Sequence, residues 1–250
     1  MNGHSMQMEK LQAFVLSGHD YGESDRIVSL FSLEQGHLKG FARGARNSRK
    51  RFGPALETFA RIDLVLNQKE GLSSLRSADV ITLYSGIRSS LCAIAQALYV
   101  CELVDNLTPE GHPIPRLFRL MATYFEYLDT GQAGETDRRM LEINLLNILG
   151  YRPHLEGCSR CGSDFDERGA LLQQRGELAC RFCAATGRTI PLLALKRLAL
   201  CLSTSRFGQT FLDEETLSMA GILLDESIAS LTPRKLRSLD FLRQSCGSPS

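Results

Sequence analysis

Apolar and polar positions alternate through residues 61–67: Ile62, Leu64 and Leu66 fall on one face, and Arg61, Asp63, Val65 and Asn67 on the other. This period of two predicts a half-buried antiparallel strand. Four more runs have strand-like composition: 11–17 (LQAFVLS), 26–33 (RIVSLFSL), 37–43 (HLKGFAR) and 72–84 (LSSLRSADVITLY). Turn-rich DYGESD separates the first two, Glu34-Gln35-Gly36 offers a hairpin turn, and residues 67–71 offer another. Five short strands packed into residues 11–84 predict a small antiparallel barrel, OB-type first and SH3-like as the alternative.

From Gly86 the period changes to that of a helix. Leu91, Ile94, Ala95, Leu98 and Cys101 share one face of a helix expected over 87–107, which TPEGHPIP then stops. Leu117, Met121, Tyr124, Phe125 and Leu128 stripe the next, over 116–128. Thr136 is the expected N-cap of an apolar helix over 138–149, closed by Gly150. Pro191 opens a helix bearing Leu195, Leu198, Ala199 and Leu202. Leu217, Gly221, Leu224 and Ile228 mark another, followed by the basic segment TPRKLRSLDFLRQ.

Between these helices lie Cys158, Cys161, Cys180 and Cys183, spaced C-x2-C-x18-C-x2-C. Two thiolates three residues apart grip one ion from a tight turn, and two such turns complete a tetrahedral shell. This is the spacing of a closed, structural Zn2+ site. Gly162 follows the first pair, where a knuckle needs positive φ. The insert from Ser163 to Ala179 is polar and suits a small ribbon. The expected architecture is therefore α+β: an OB-fold barrel over residues 1–85, then a helical domain over 86–250 with a zinc ribbon inserted at about 154–190.

The chain has 250 residues, 43% of them hydrophobic, with a net charge of +1, so no global field commits it to nucleic acid or membrane. No apolar run is long enough to span a bilayer, and the N-terminus lacks a secretory pattern. Eight cysteines without such a leader point to metal binding in a reducing cytosol and not to disulfides. Cys92, Cys101 and Cys201 read as core residues and Cys246 as part of a frayed tail. Residues 1–5 are set aside from fold reasoning.

Charge is concentrated locally. RGARNSRKRF holds Arg43, Arg46, Arg49, Lys50 and Arg51 with no acid, in a loop between two strands. Cations so crowded repel one another without an anionic partner, and phosphate fits that need. Arg26, Lys39 and Arg76 are expected on strands, where they extend the patch; flanking Phe41 and Phe52 read as core more than as stacking faces. Glu23 and Asp25 read as turn or barrel-edge contacts and not as catalytic groups.

Two other function classes bear comparison. His154-Leu155-Glu156 with Cys180 and Cys183 has the outline of a zinc deaminase, but position 179 is Ala and not Pro, and Cys158 and Cys161 would be idle. No Gly-rich phosphate loop is present either, so the protein is not expected to be an enzyme. A zinc-ribbon transcription or RNA-processing factor would use Arg160, Arg168, Arg175 and Arg181, which Asp164, Asp166, Glu167 and Glu177 offset.

Several stretches resemble the bacterial recombination-repair family RecO. They are DYGESDRIVSLFSLEQGHLKGFARGARNSRKRFGPALETFARIDL, ELVDNLTPEGHPIPRLF, NLLNILGYRPHLEGCSRCG and TPRKLRSLDFLR, in the family's order and spanning Met8 to about Gln244. The resemblance implies an OB-fold, a helical domain, and a zinc module in those members that keep the cysteines. It implies binding to single- and double-stranded DNA, annealing of complementary strands, and a cytoplasmic, nucleoid-associated place in DNA repair and recombination. It also implies contacts with single-stranded DNA-binding protein (SSB) and RecR, leading to RecA loading. The implied site for the acidic, apolar-ended SSB tail on the helical domain needs an apolar hollow and cations. Leu195, Leu198 and Leu202 beside Lys196, Arg197 and Arg206 offer both, the alternative being a core-facing leucine stripe with a solvated basic rim.

Overall fold

A computed structural model describes residues 8–68, 72–204 and 206–246, so the turn expected at 67–71 lies mostly outside the described residues. Strands β1 (Met8–Tyr21), β2 (Asp25–Ser32), β3 (Gly36–Ala42), β4 (Arg61–Asn67) and β5 (Leu72–Thr82) close a barrel in the order β1-β2-β3-β5-β4. The pairing is antiparallel except where β3 meets β5 in parallel, which is the OB arrangement.

Burial explains why β1 reads as a continuous apolar run and not an alternating one. Leu11, Ala13 and Val15 point into the barrel with Val28, Leu30, Ile62, Leu64 and Leu66. Phe14, also fully buried, points the other way: its ring lies 4.9 Å from that of Phe118 and 5.5 Å from that of Phe125. Burying such a ring contributes roughly 1.5–3 kcal/mol, and here both strand faces are used. A register shift between Val15 and Ser17 lets β1 bend from β4 towards β2.

Seven helices follow among the described residues: α1 (Ser85–Arg88), α2 (Leu91–Leu107), α3 (Pro115–Asp129), α4 (Glu135–Leu149), α5 (Leu192–Ser203), α6 (Glu214–Leu231) and α7 (Arg237–Cys246). The change from strand to helix thus falls where the sequence places it. The stripe expected on α3 is buried at all five positions. The helix expected over 87–107 is instead two, because the Ser90 hydroxyl caps α2 by accepting the Ala93 N–H at 3.3 Å. Leu91 is exposed, and buried residues run right round α2, which packs against both β1 and α7. Thr136 does not cap α4. The Asp137 carboxylate accepts the Gly134 N–H at 2.9 Å, while the Thr136 hydroxyl accepts from Leu212 N–H at 3.3 Å.

The cysteine reading needs a further correction. Cys92 and Cys246 are neither core thiol nor frayed tail: they form a disulfide. Helix α7 brings Cys246 to α2, and the Glu102 carboxylate fixes its start by accepting the N–H groups of Arg237 at 3.0 Å and Ser238 at 2.8 Å.

The chain divides into two compact units, one running to Asp129 and resuming at Leu236, the other spanning Thr130–Lys235. In the first, the segment after α2 docks on β3. His37 is buried, with Nε2 2.8 Å from the Ser29 hydroxyl and 3.0 Å from an Asp105 carboxylate oxygen, and Nδ1 3.1 Å from the Thr108 carbonyl. Serine and aspartate both address Nε2, so this is a structural clasp and not the relay of a catalytic triad, in which aspartate addresses Nδ1. Burial pulls the His37 pKa down, but its hydrogen bonds to Asp105 and Thr108 outweigh that and leave it raised. At Gly36, φ is +70°, and any Cβ would meet the His112 carbonyl oxygen.

The second unit holds α4, α5, α6 and the small strands β6 (Ala170–Leu172), β7 (Leu178–Ala179) and β8 (Arg188–Ile190), in the order β7-β6-β8. Glu142 is fully buried in α4 and receives Arg138 and Arg139, each at 2.8 Å; Arg139 also reaches Asp225 of α6 at 2.9 Å. Burial opposes charge on Arg139, yet the two carboxylates outweigh it and hold the guanidinium protonated. The 174–176 turn rests on α6, where the Glu226 carboxylate accepts the Arg175 N–H at 3.1 Å.

Candidate nucleic-acid interface and metal centre

The connection between β3 and β4 is basic outside and apolar at its anchor. Phe52, Ala55 and Leu56 enter the barrel core, so Phe52 is a core residue, as expected. Ahead of that plug, Arg43, Arg46, Arg49, Lys50 and Arg51 are all exposed. The β1–β2 turn holds this segment in place. The Asp25 carboxylate accepts the Gly44 N–H at 2.7 Å, and the Ser24 carbonyl accepts the Arg46 N–H at 3.0 Å. Asp25 is thus a turn contact.

The loop cations find few acidic partners. Arg51 donates to the Ser48 hydroxyl at 2.9 Å and to the Arg43 carbonyl at 2.8 Å, both neutral acceptors. Arg46 approaches Asp20 at only 3.6 Å, and among the described residues Arg43, Arg49 and Lys50 form no ion pair. Arg46 and Arg49 also line a hollow of about 410 Å³ with Ala45, Gly53, Pro54 and Glu57.

The strand-borne cations differ. Arg26 is half-buried and lies 4.0 Å from Asp20, with its Nε unpartnered. Lys39 is exposed but pairs with Glu110 at 2.7 Å, whose hydrogen bond raises its pKa. Arg76 is exposed and meets the Asn67 side-chain amide. An aromatic pair accompanies them: Phe41 is half-buried, and its ring lies 6.0 Å from that of Tyr21, which is 58% exposed. The sequence reading passed over Tyr21 within DYGESD; only the β1–β2–β3 register brings it beside Phe41.

In the ribbon, the sulfurs of Cys158, Cys161, Cys180 and Cys183 all lie within 4.8 Å of one another, and those of Cys161 and Cys180 are 3.7 Å apart. A tetrahedral ion with ~2.3 Å bonds to sulfur requires separations of about 3.8 Å. Gly162 has φ +75°, as a knuckle demands, and the Cys180 N–H points at the Cys158 sulfur at 3.2 Å. Burial raises the Cys158 thiol, but backbone N–H groups of Cys180, Cys161 and Arg160 outweigh it and bring it to about 6. Hydrogen bonds with the Cys161 and Cys180 sulfurs push Cys183 up to about 12. Thiolates this crowded need a cation among them, and four sulfur donors fit Zn2+. The deaminase pattern would leave Cys158 and Cys161 without a role, whereas here they complete the cluster.

On α5, Leu195 and Leu198 are buried and Leu202 is half-buried. Lys196 and Arg206 are exposed, and Arg197 pairs with Asp213 and reaches the Thr216 hydroxyl at 3.3 Å. The exposed apolar side chains of this region are Leu193, Leu200 and Phe211. The helical period reads the leucine stripe as core, and Leu195 and Leu198 are buried accordingly, which leaves them inside and not on an open hollow.

Comparison with known proteins covers nearly the whole chain. Residues 6–84 match the family described as recombination protein O N terminal, and residues 88–240 match recombination protein O C terminal. The chain is 56% identical over 240 residues to the DNA repair protein RecO of Pelobacter propionicus, covering 96% of this chain and 98% of that protein. It is 47% identical over 243 residues to that of Geobacter metallireducens (96% and 98%), and 36% identical over 233 residues to that of Myxococcus xanthus (93% and 96%).

Proposed function

Because this chain belongs to the RecO family of DNA repair and recombination proteins, we propose that it binds single- and double-stranded DNA through the barrel loop and anneals complementary strands. The observation that carries this reading is the uncompensated charge of Arg43, Arg49, Lys50 and Arg51 on a loop plugged into the barrel by Phe52. Cations of this kind release counterions from phosphate without reading sequence, and Tyr21 beside Phe41 offers a face on which a base can stack. Arg26 and Arg76 extend the track, while Lys39 contributes less because Glu110 offsets it. Neutralising two strands at once lowers their mutual repulsion, which is what annealing requires.

The finer proposals follow the family. The protein acts without catalysing a covalent step, in the cytoplasm at the nucleoid. It works on strands coated by SSB, and with RecR it helps RecA to load. Cys158, Cys161, Cys180 and Cys183 hold one structural Zn2+ per chain, which ties the ribbon together. The SSB tail finds its cations in Lys196 and Arg206 and its apolar rest at the exposed Leu193 and Leu200, with Leu202 at the rim. Leu195, Leu198 and the paired Arg197 support the helix from within.

Annealing of two complementary oligonucleotides, naked and then SSB-coated, tests the reading. The protein should speed both reactions, and Lys196→Glu should slow only the coated one. No acceleration of naked strands would overturn the proposal.

A further inference from the structure

The second cysteine knuckle turns an aromatic side chain outward. Phe182, between Arg181 and Cys183, is 102% exposed, more than any other large apolar side chain among the described residues. Its backbone is fixed, because the N–H groups of Cys183 and Ala184 both donate to the Cys180 carbonyl at 3.0 Å. A lone exposed ring carries little meaning; its charged surroundings supply more. Two of the ribbon's acids are engaged with other arginines, Glu177 with Arg160 at 2.9 Å and Asp166 with Arg168. Arg181 forms no ion pair among the described residues: it reaches the Thr189 hydroxyl at 3.5 Å, and Asp166, which feels its charge, is held by Arg168. Arg188, the preceding residue on β8, is exposed and forms no ion pair among the described residues.

A rigidly mounted ring next to Arg181, which is in no ion pair among the described residues, matches a single strand of nucleic acid. The base offers a face to stack on, and the phosphates offer the countercharge. We propose that Phe182, with Arg181 beside it and Arg188 on the adjoining strand, forms a second contact for single-stranded DNA, separate from the barrel loop. It stacks on one unpaired base and reads no sequence. A base inside a duplex has no free face, so the contact selects single strands. The inference rests on the reading that the protein binds DNA.

The test uses the full chain with its zinc content measured. The chain contains no tryptophan, so Phe182→Trp places a single indole at the knuckle. Its emission should be quenched on adding a thymidine oligonucleotide, with affinity kept. Phe182→Ala should bind that oligonucleotide roughly tenfold more weakly, the worth of one stacked base, yet bind an abasic strand of equal length and a duplex as the unsubstituted protein does. Unchanged emission of Phe182→Trp, or equal oligonucleotide affinity in Phe182→Ala, overturns the proposal. If Phe182→Ala is unaffected while loss of the loop cations weakens binding, the ribbon contact alone fails. If the unsubstituted protein binds no strand, the underlying reading fails with it.

Discussion

Arginine meets two different fates in this protein. In the barrel loop, Arg43 and Arg49 meet no carboxylate among the described residues and Arg51 is satisfied by a hydroxyl and a carbonyl, so the charge stays on offer. In the second unit, Arg138, Arg139, Arg160, Arg168 and Arg197 each meet a carboxylate, and the charge is absorbed by the fold. The difference begins in the chain. RGARNSRKRF contains no acid, whereas Arg138 and Arg139 have Glu142 one helical turn on. A count of basic residues cannot separate the two; the acceptor each guanidinium finds does. The loop is what we propose as a surface for a ligand, and the helical arginines brace the fold.

The sharpest way to break this comparison is to remove what closes the second unit. Cys180→Ser, or a strong chelator, should release the zinc and unfold the ribbon, since structural zinc binding is worth on the order of 10 kcal/mol in small zinc domains. The 174–176 turn should lose its seat on α6 while the barrel stays folded. Elemental analysis and hydrogen exchange read both, and a ribbon equally protected without metal would refute the zinc assignment.

A smaller effect separates strut from ligand surface. Glu142→Ala leaves Arg139 buried with Asp225 and the more distant Glu135 as its remaining partners, a change costing up to about 3–5 kcal/mol. Denaturant unfolding should show that loss, while DNA affinity at a temperature where the variant is folded should not move. A fall in affinity with stability intact would make Arg139 part of the DNA surface.

Smaller still is the pH dependence of the clasp in the first unit. The His37 pKa is raised by Asp105 and Thr108 against burial, so its stabilisation is fully present below the ordinary histidine value of about 6.5 and fades as pH rises through the folded value. Burial likewise opposes charge on Asp105, but His37 and Ser29 outweigh it and lower its pKa. The aspartate contribution is therefore present above the ordinary carboxylate value and lost as pH falls through the folded one. The protein should lose stability between pH 6 and 9 more steeply than His37→Gln does; identical slopes would contradict the clasp.

What the sequence made legible follows from range. The ribbon was readable because its ligands come in pairs three residues apart, and the alternation of Ile62, Leu64 and Leu66 gave β4 directly. Registers between distant segments were not. Nothing local pairs Cys92 with Cys246 across 154 residues, sets Tyr21 against Phe41, or leaves Leu193 and Leu200 exposed beside the core stripe of α5. Those facts depend on how α7 meets α2, how β1 to β3 pair, and how α5 packs with α4 and α6. The loop lies between these cases: its composition announced a charge cluster, but only the structure shows that its acceptors are neutral.

The central claim is that the loop carries free positive charge for DNA. It is tested most directly by the salt dependence of single-strand binding in the unsubstituted protein and in Arg49→Ala, Lys50→Ala, Arg51→Ala combined. The slope of log affinity against log salt should flatten by ~0.7 per lost phosphate contact, up to about 2 in all, with affinity falling in parallel for unrelated sequences. Unchanged affinity and an unchanged slope would contradict the account and place the DNA elsewhere on the protein.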